Sequence, residues 1–433
     1  MKNLSAFLTI FLFSTGLFAQ TFVQHYYKEL PGVGTWSQAQ AIMLTQDNNL
    51  FIAGPTNHFV NNNGSMYYIK ADTAGNVFQT TFADGQYTDI CPTPRRLMED
   101  VNNNFLMLGE YGNLRIPYFT RLSSNGTPLS THTNGGEYSF QGASDMMPMQ
   151  DDGFLVSAGY LIWQFGKVLT FEKLDTDGNL IWDTILTYPT TSSPQIRGYF
   201  ARMASIDDST LVITGSRNYA PGTNEDLDMF LMKIRFWNDS VEILEFNIIE
   251  KPNTNEHGYD ILTLPNNEGY IICGDGQNDG NPNYTDGIIT RIDMAGNVVW
   301  KKTYSRAPNT QSSFIRVRLD NNGELIVLAR TSDATDDVTL LKYSLSGEQL
   351  EVAFFDRNVQ NETAFDMAIG PDNKIYVSAG NLYFGSDVKS LLLCVGNGSP
   401  TPTPSVPVSN WALIIGIFLI AVFMVIKYRK RLA

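Results

Sequence analysis

One unit recurs seven times along this 433-residue chain, and its period limits the fold more than any other feature. Each copy has two apolar runs around a tight polar turn and then a variable loop. A third run, a Gly-centred turn and a last run follow, the last often ending in an aromatic residue. The fullest copy spans Asp260–Tyr304 as "DILTLPNNEGYIICG", a loop, and "GIITRIDMAGNVVWKKTY". The second runs align on Leu50–Gly54, Phe105–Gly109, Phe154–Gly159, Leu211–Gly215, Tyr270–Gly274, Leu325–Ala329 and Ile375–Gly380, with starts 49 to 59 residues apart. The later turns centre on Asp72–Val77, Ser123–Pro128, Asp175–Leu180, Trp237–Val241, Asp293–Val298 and Ser344–Gln349. Gly beside Asp or Asn, set between alternating apolar residues, is the strongest short hairpin signal. Each unit therefore reads as four strands, A to D.

The seventh unit supplies A, B and C over Phe365–Val395 but no D, whereas Thr21–Tyr27 ("TFVQHYY") precedes the first A strand with nothing to pair with. The two deficits fit each other. The expectation is an all-β fold: a seven-bladed β-propeller of four-stranded blades over residues 20–396, whose N-terminal strand completes the last blade. Closure of this kind removes open sheet edges. An open β-solenoid competes, but its coils are shorter and more regular. In a propeller, the A–B and C–D turns share one face and the B–C and D–A loops share the other. The first set is tight here, while Gly54–Met66, Ala83–Pro94, Thr131–Ala143 and Gly215–Asp228 are long and irregular. One face is trimmed and the other decorated, and sites gather on loops held by a rigid scaffold.

Both chain ends read as addresses. Lys2, the apolar run Phe7–Phe13 and the small-residue exit Gly16–Ala19 read as a signal peptide over residues 1–19. A Pro-rich spacer covers 397–409. Residues 410–433 follow: sixteen apolar residues, Trp411–Ile426, then Lys427, Arg429, Lys430 and Arg431. This is a transmembrane helix with a basic cytoplasmic tail, which places the repeats outside the cell as a single-span envelope or surface protein. The order "VPVSNWALIIGIFLIAVFMVIKYRKR" resembles the C-terminal sorting signals of the PEP-CTERM and IPTL-CTERM type, over about 28 residues. The short motif reads V-P-V-S-N-W here, not I-P-T-L. The resemblance implies recognition by a membrane sorting enzyme; a permanent anchor is the plainer alternative.

The formal net charge of −14 argues against a nucleic-acid partner. Cys91, Cys273 and Cys394 form no short-spaced pair, so neither a disulfide framework nor a metal knuckle is implied. Cys273 and Cys394 sit in apolar runs and read as core residues.

Three groups of candidate site residues emerge. Near the start of strand A, units two to seven carry Arg95 or Arg96, Asp145, Arg202, Asp260, Arg316 and Asp366, with Arg95 taken for unit two; unit one has Gln40 or Ala41. Because strand A lines the channel, this is a ring of alternating charge broken once. It serves either as inter-blade ion pairs or as a channel-mouth site for a charged or polyhydroxyl ligand. In unit five, Asp275, Gln277, Asp279 and Asp286 stand at positions 1, 3, 5 and 12 of Gly274–Gly287, with Gly280 at position 6. That is the oxygen spacing of a calcium loop, although Gln at 3 and Asp at 12 depart from the EF-hand form. A solvated loop competes. Finally, Tyr160, Trp163 and Phe165 in one loop, Tyr138 and Phe140 in another, and His58 with Phe59 in a third are candidate stacking platforms.

Catalytic signals are nearly absent: His25, His58, His132 and His257 make no zinc pair, and no nucleophile elbow or phosphate-cradling loop occurs. A two-carboxylate glycosidase would need only Asp or Glu, and spacing selects no pair. The repeats resemble the loosely defined bacterial propeller repeats of secreted and surface proteins. That resemblance implies a binding or scaffold module, although some such propellers are enzymes. The expectation is a module for an extracellular glycan or protein, with no cofactor unless the unit-five loop holds calcium. The alternatives are a propeller hydrolase or lyase acting on extracellular polysaccharide, and a purely structural envelope protein.

Overall fold

The computed structural model describes residues 21–31, 33, 37–56, 65–83, 93–100, 102–111, 116–133, 139–149, 153–162, 166–186, 195–218, 227–237, 240–249, 254–332, 336–355, 362–381 and 388–398. The chain divides into Gln24–Gly396 and a second unit of its two ends, Met1–Val23 with Asn397–Ala433. The signal peptide, the spacer beyond residue 398, the apolar tail and Cys91 lie outside the described residues. Among the described residues, no helix is long and apolar enough to cross a membrane.

Every described unit forms one antiparallel four-stranded sheet. The unpaired first segment, β1 (Thr21–Glu29), belongs to the last of them. Blade 1 holds β2 (Ala41–Leu44), β3 (Leu50–Thr56), β4 (Ser65–Ala71) and β5 (Val77–Ala83). Blade 2 holds β6 (Thr93–Glu99), β7 (Phe105–Tyr111), β8 (Ile116–Leu122) and β9 (Pro128–Thr133). Blade 3 holds β10 (Ser139–Pro148), β11 (Phe154–Ile162), β12 (Gly166–Leu174) and β13 (Leu180–Leu186). Blade 4 holds β14 (Gln195–Ser205), β15 (Thr210–Asn218), β16 (Leu227–Trp237) and β17 (Ser240–Ile249). Blade 5 holds β18 (Glu256–Thr263), β19 (Tyr270–Gln277), β20 (Thr285–Ile292) and β21 (Val298–Tyr304). Blade 6 holds β22 (Gln311–Leu319), β23 (Leu325–Ser332), β24 (Asp336–Tyr343) and β25 (Gln349–Phe355). Blade 7 is β26 (Glu362–Ile369), β27 (Lys374–Asn381), β28 (Ser390–Gly398) and β1, in that order. The ring of seven blades is a β-propeller, closed by its N-terminal strand as the unit count requires.

The turns form for the reasons the sequence suggests. Asp72, Asp175 and Asp293 each accept the backbone N–H four residues on at 2.8 Å, and Gly75, Gly178 and Gly296 take positive φ at the crest. These crests also join neighbouring blades. A Cβ on Gly347 would meet the Trp300 ring of blade 5 at 2.8 Å, and one on Gly75 would meet Tyr26 of β1 at 2.8 Å. The same turn fastens β1 by two hydrogen bonds: Tyr26 Oη donates to the Thr73 carbonyl at 3.2 Å and Lys28 Nζ to that of Ala74 at 2.8 Å.

The core lies between blades. Phe51 and Tyr68 of blade 1 pack with Phe105 and Met107 of blade 2, and Phe171 of blade 3 packs with Phe230 of blade 4. Tyr376, Leu392 and Cys394 of blade 7 pack against Ile52 and Tyr67 of blade 1. The second strands are buried along both faces, as in β3, whereas outer strands such as β21 carry exposed positions. Cys273 and Cys394 are free and buried, as their apolar runs suggested.

Candidate functional site

The inner strands β6, β10, β18, β22 and β26 share one irregularity. Register with the second strand slips by one residue, leaving Arg95, Ser144, Tyr259, Ile315 and Phe365 as extra residues. Each bulge immediately precedes the charged position of its unit. A bulge turns two adjacent side chains out of strict alternation, so each inner strand offers one residue to each of two layers.

The first layer is the charged ring. Asp145, Arg202, Asp260, Arg316 and Asp366 are all buried. Arg202 Nη1 lies 3.3 Å and Arg96 Nε 3.4 Å from Asp145, Arg316 Nε lies 2.7 Å from Asp366, and Arg318 Nη1 lies 2.6 Å from Asp260. Each aspartate also accepts a backbone N–H from the next blade: Met203 to Asp145 at 2.9 Å, Val317 to Asp260 at 3.0 Å, and Ile42 to Asp366 at 3.4 Å. The three carboxylates thus tie blades 3, 5 and 7 each to its successor. Burial alone would raise the pKa of Asp260 and Asp366. Arg318 and Arg316 around Asp260, and the same two arginines around Asp366, outweigh it and hold both below the usual carboxylate range. Ala41 stands at the ring position of blade 1, opposite Ala53, so the expected gap is real.

Unit two needs a correction. Arg96, opposite Leu108, occupies the ring position; Arg95, the residue expected there, is the bulge and pairs with Glu110. The strand period gives no warning of an inserted residue.

The second layer lines a cavity of about 360 Å³ on the loop side of the ring. Its wall includes Gln40, Arg95, Ser144, Tyr259, Ile315 and Phe365, that is, the bulge residues and the matching residue of blade 1. Arg202 and Arg316 rise into it from the ring, Arg330 joins from β23, and Ser313 and Pro94 complete the rim. Arg330 lies over the Phe365 ring, 5.1 Å from its centroid, and donates through Nε to the Ala364 carbonyl at 2.6 Å. Burial, and next the like charge of Arg316, push Arg202 down to about 10, which leaves it cationic at neutral pH.

Asp275 stands behind this wall. It accepts from Ser313 Oγ at 2.5 Å and from Tyr259 Oη at 3.1 Å, and it lies 2.8 Å from His257 Nδ1. The His257 and Tyr259 rings stack at 5.7 Å. Burial, then the charge of Asp275, raise the Tyr259 hydroxyl well above its ordinary range, so it stays a donor.

The calcium spacing is not gathered into one site. Asp275 is opposite Gly287 and Asp286 opposite Gly276, so the two carboxylates leave opposite faces of the blade. Asp286 instead accepts from Asn278 Nδ2 at 2.8 Å, and Asp279 is exposed. Among the described residues, no cluster of three His, Cys, Asp or Glu could hold a metal. Trp163, Phe165, Tyr138, His58 and Phe59 lie outside the described residues, as do the tips of most decorated-face loops. Tyr160 is in β11 and Phe140 in β10.

No family model and no curated protein matches the chain. Solved structures do. A polysaccharide lyase aligns with TM-score 0.53 at 10% identity, covering 83% of this chain and 90% of its own. A protein of unknown function from Dyadobacter fermentans aligns at TM-score 0.51 and 8% identity, over 87% and 99%. Drosophila semaphorin 1a aligns at TM-score 0.49 and 8% identity, over 88% of each chain. At such identities the similarity extends to the β-propeller fold alone.

Proposed function

We propose that this chain is an exported, envelope-anchored propeller that binds an extracellular glycan in the channel cavity without turning it over. One observation carries the reading: the cavity wall offers hydrogen-bond donors and aromatic faces, and none of its lining residues is a carboxylate. The three ring carboxylates next to the cavity, Asp145, Asp260 and Asp366, are spent on neighbouring blades. A glycosidase needs one carboxyl group protonated near neutral pH, and Asp260 and Asp366 are shifted the other way. A cavity of about 360 Å³ suits one or two sugar rings. The signal peptide and the sorting-type tail support export and anchoring, with the sorting enzyme as a further partner.

A polysaccharide hydrolase or lyase is the second reading. It is favoured by the Asp275–His257 pair, which leaves His257 Nε2 without a partner among the described residues, beside cavity-lining Tyr259. A polysaccharide panel on the full-length protein, with and without calcium, reads binding and product release together. Binding without products is expected; product release that disappears in His257→Ala would replace the first reading with the second.

A further inference from the structure

We infer that the ligand of the channel cavity is anionic: a sugar bearing a carboxylate or sulfate, seated against Arg202, Arg316 and Arg330. This rests on the binding reading above and narrows it to one class of glycan.

Lys and Arg make up 30 of 433 residues in a chain of formal net charge −14, yet four of the eleven residues lining the cavity are arginines. The carboxylates that balance them lie behind the wall. Removing a guanidinium from water is costly unless its donors are used. Here they are used incompletely. Among the described residues Arg202 makes only long contacts, to Asp145 at 3.3 Å and to the Arg95 carbonyl at 3.4 Å, and its Nε donates to none of them. Arg316 commits Nε to Asp366 and Nη1 to the Ile315 carbonyl, and its Nη2 donates to no atom of the described residues. Two buried guanidiniums therefore face one cavity with donors to spare.

A planar carboxylate or a sulfate supplies what is missing: acceptor oxygens matched to guanidinium forks, and negative charge between like charges. A neutral sugar supplies acceptors but no charge. Phe365 and Tyr259 add aromatic surface to the same wall, one face of each covered by Arg330 and by His257, and an aromatic surface beside cations suits an anion carried on a sugar ring.

The test titrates the full-length protein with oligosaccharides containing glucuronate, galacturonate or sulfate, and with neutral counterparts of the same length. Acidic oligosaccharides are expected to bind, neutral ones at least about tenfold more weakly. Affinity should fall as salt rises from about 0.05 to about 0.5 M. Arg330→Gln should cost about tenfold and Arg330→Lys clearly less, with the unfolding midpoint of each variant recorded to exclude misfolding. Equal or tighter binding of the neutral set, lost in Arg330→Gln, overturns the anionic class and leaves the binding reading intact. Binding of neither set overturns both.

Discussion

Two layers of the same inner strands, one residue apart in sequence, meet opposite fates. The ring position is repeated, buried and tied to a neighbouring blade: Asp145, Asp260 and Asp366 each accept both a guanidinium and a backbone N–H across a blade boundary. The bulge position immediately before it is unrepeated, holding Arg95, Ser144, Tyr259, Ile315 and Phe365 in turn, and all five line the cavity. Repetition marks what the ring needs in order to close, whereas variation marks what a ligand would touch. The division is physical. An inter-blade bond must be made at nearly every boundary, but a cavity wall is seen by one ligand at a time.

The comparison breaks most readily at the ring. Asp260→Ala leaves Arg318 with the Val317 carbonyl and, among the described residues, one carboxylate, Asp366, 3.9 Å away, and it orphans the Val317 N–H. A loss of about 3–5 kcal/mol in urea unfolding is expected; under about 1 kcal/mol would mean that the ring is ornamental.

Acid sharpens the same point. Asp260 and Asp366 have depressed folded pKa values, so their contribution is complete above the ordinary aspartate range near about 3.9 and is lost as pH falls through the folded values. Stability should therefore hold from neutrality to about pH 5 and then fall, more shallowly in Asp260→Asn. An identical acid limb in that variant would place the titrating groups elsewhere.

A third comparison moves to the outer rim, where the repeated glycines seat neighbouring blades. Gly347, at φ 83° against Trp300, should lose about 1–3 kcal/mol as Ala. Gly323, also at positive φ but with nothing within 4 Å of its Cβ position, should lose less. Thermal melts rank the pair, and equal losses would remove the packing contribution. A small stability effect belongs to the cavity layer: Arg330→Gln gives up the bond to the Ala364 carbonyl and the contact with the Phe365 ring, together about 1–2 kcal/mol.

Much of this was legible in the chain. Seven copies of one unit, a missing last strand and a spare first one determine the closed propeller, because each blade must bury its faces and no edge can be left open. The charge pattern from Asp145 to Asp366 was also readable, since the repeat aligns it. The cavity layer was not. Tyr259 and Phe365 look like ordinary members of an alternating strand, and only the bulge, which is a matter of backbone register, brings them to the cavity wall. Arg330 comes from the second strand, and Asp275 turned inward to His257 where its spacing suggested a loop ligand.

The most direct test measures stability and acidic-oligosaccharide affinity in Asp260→Asn and Arg330→Gln side by side. The account predicts a large fall in unfolding midpoint with affinity within about threefold for the first, and the converse, about tenfold weaker binding at nearly unchanged stability, for the second. Loss of both properties together in each variant would contradict it, because the two layers would then be one.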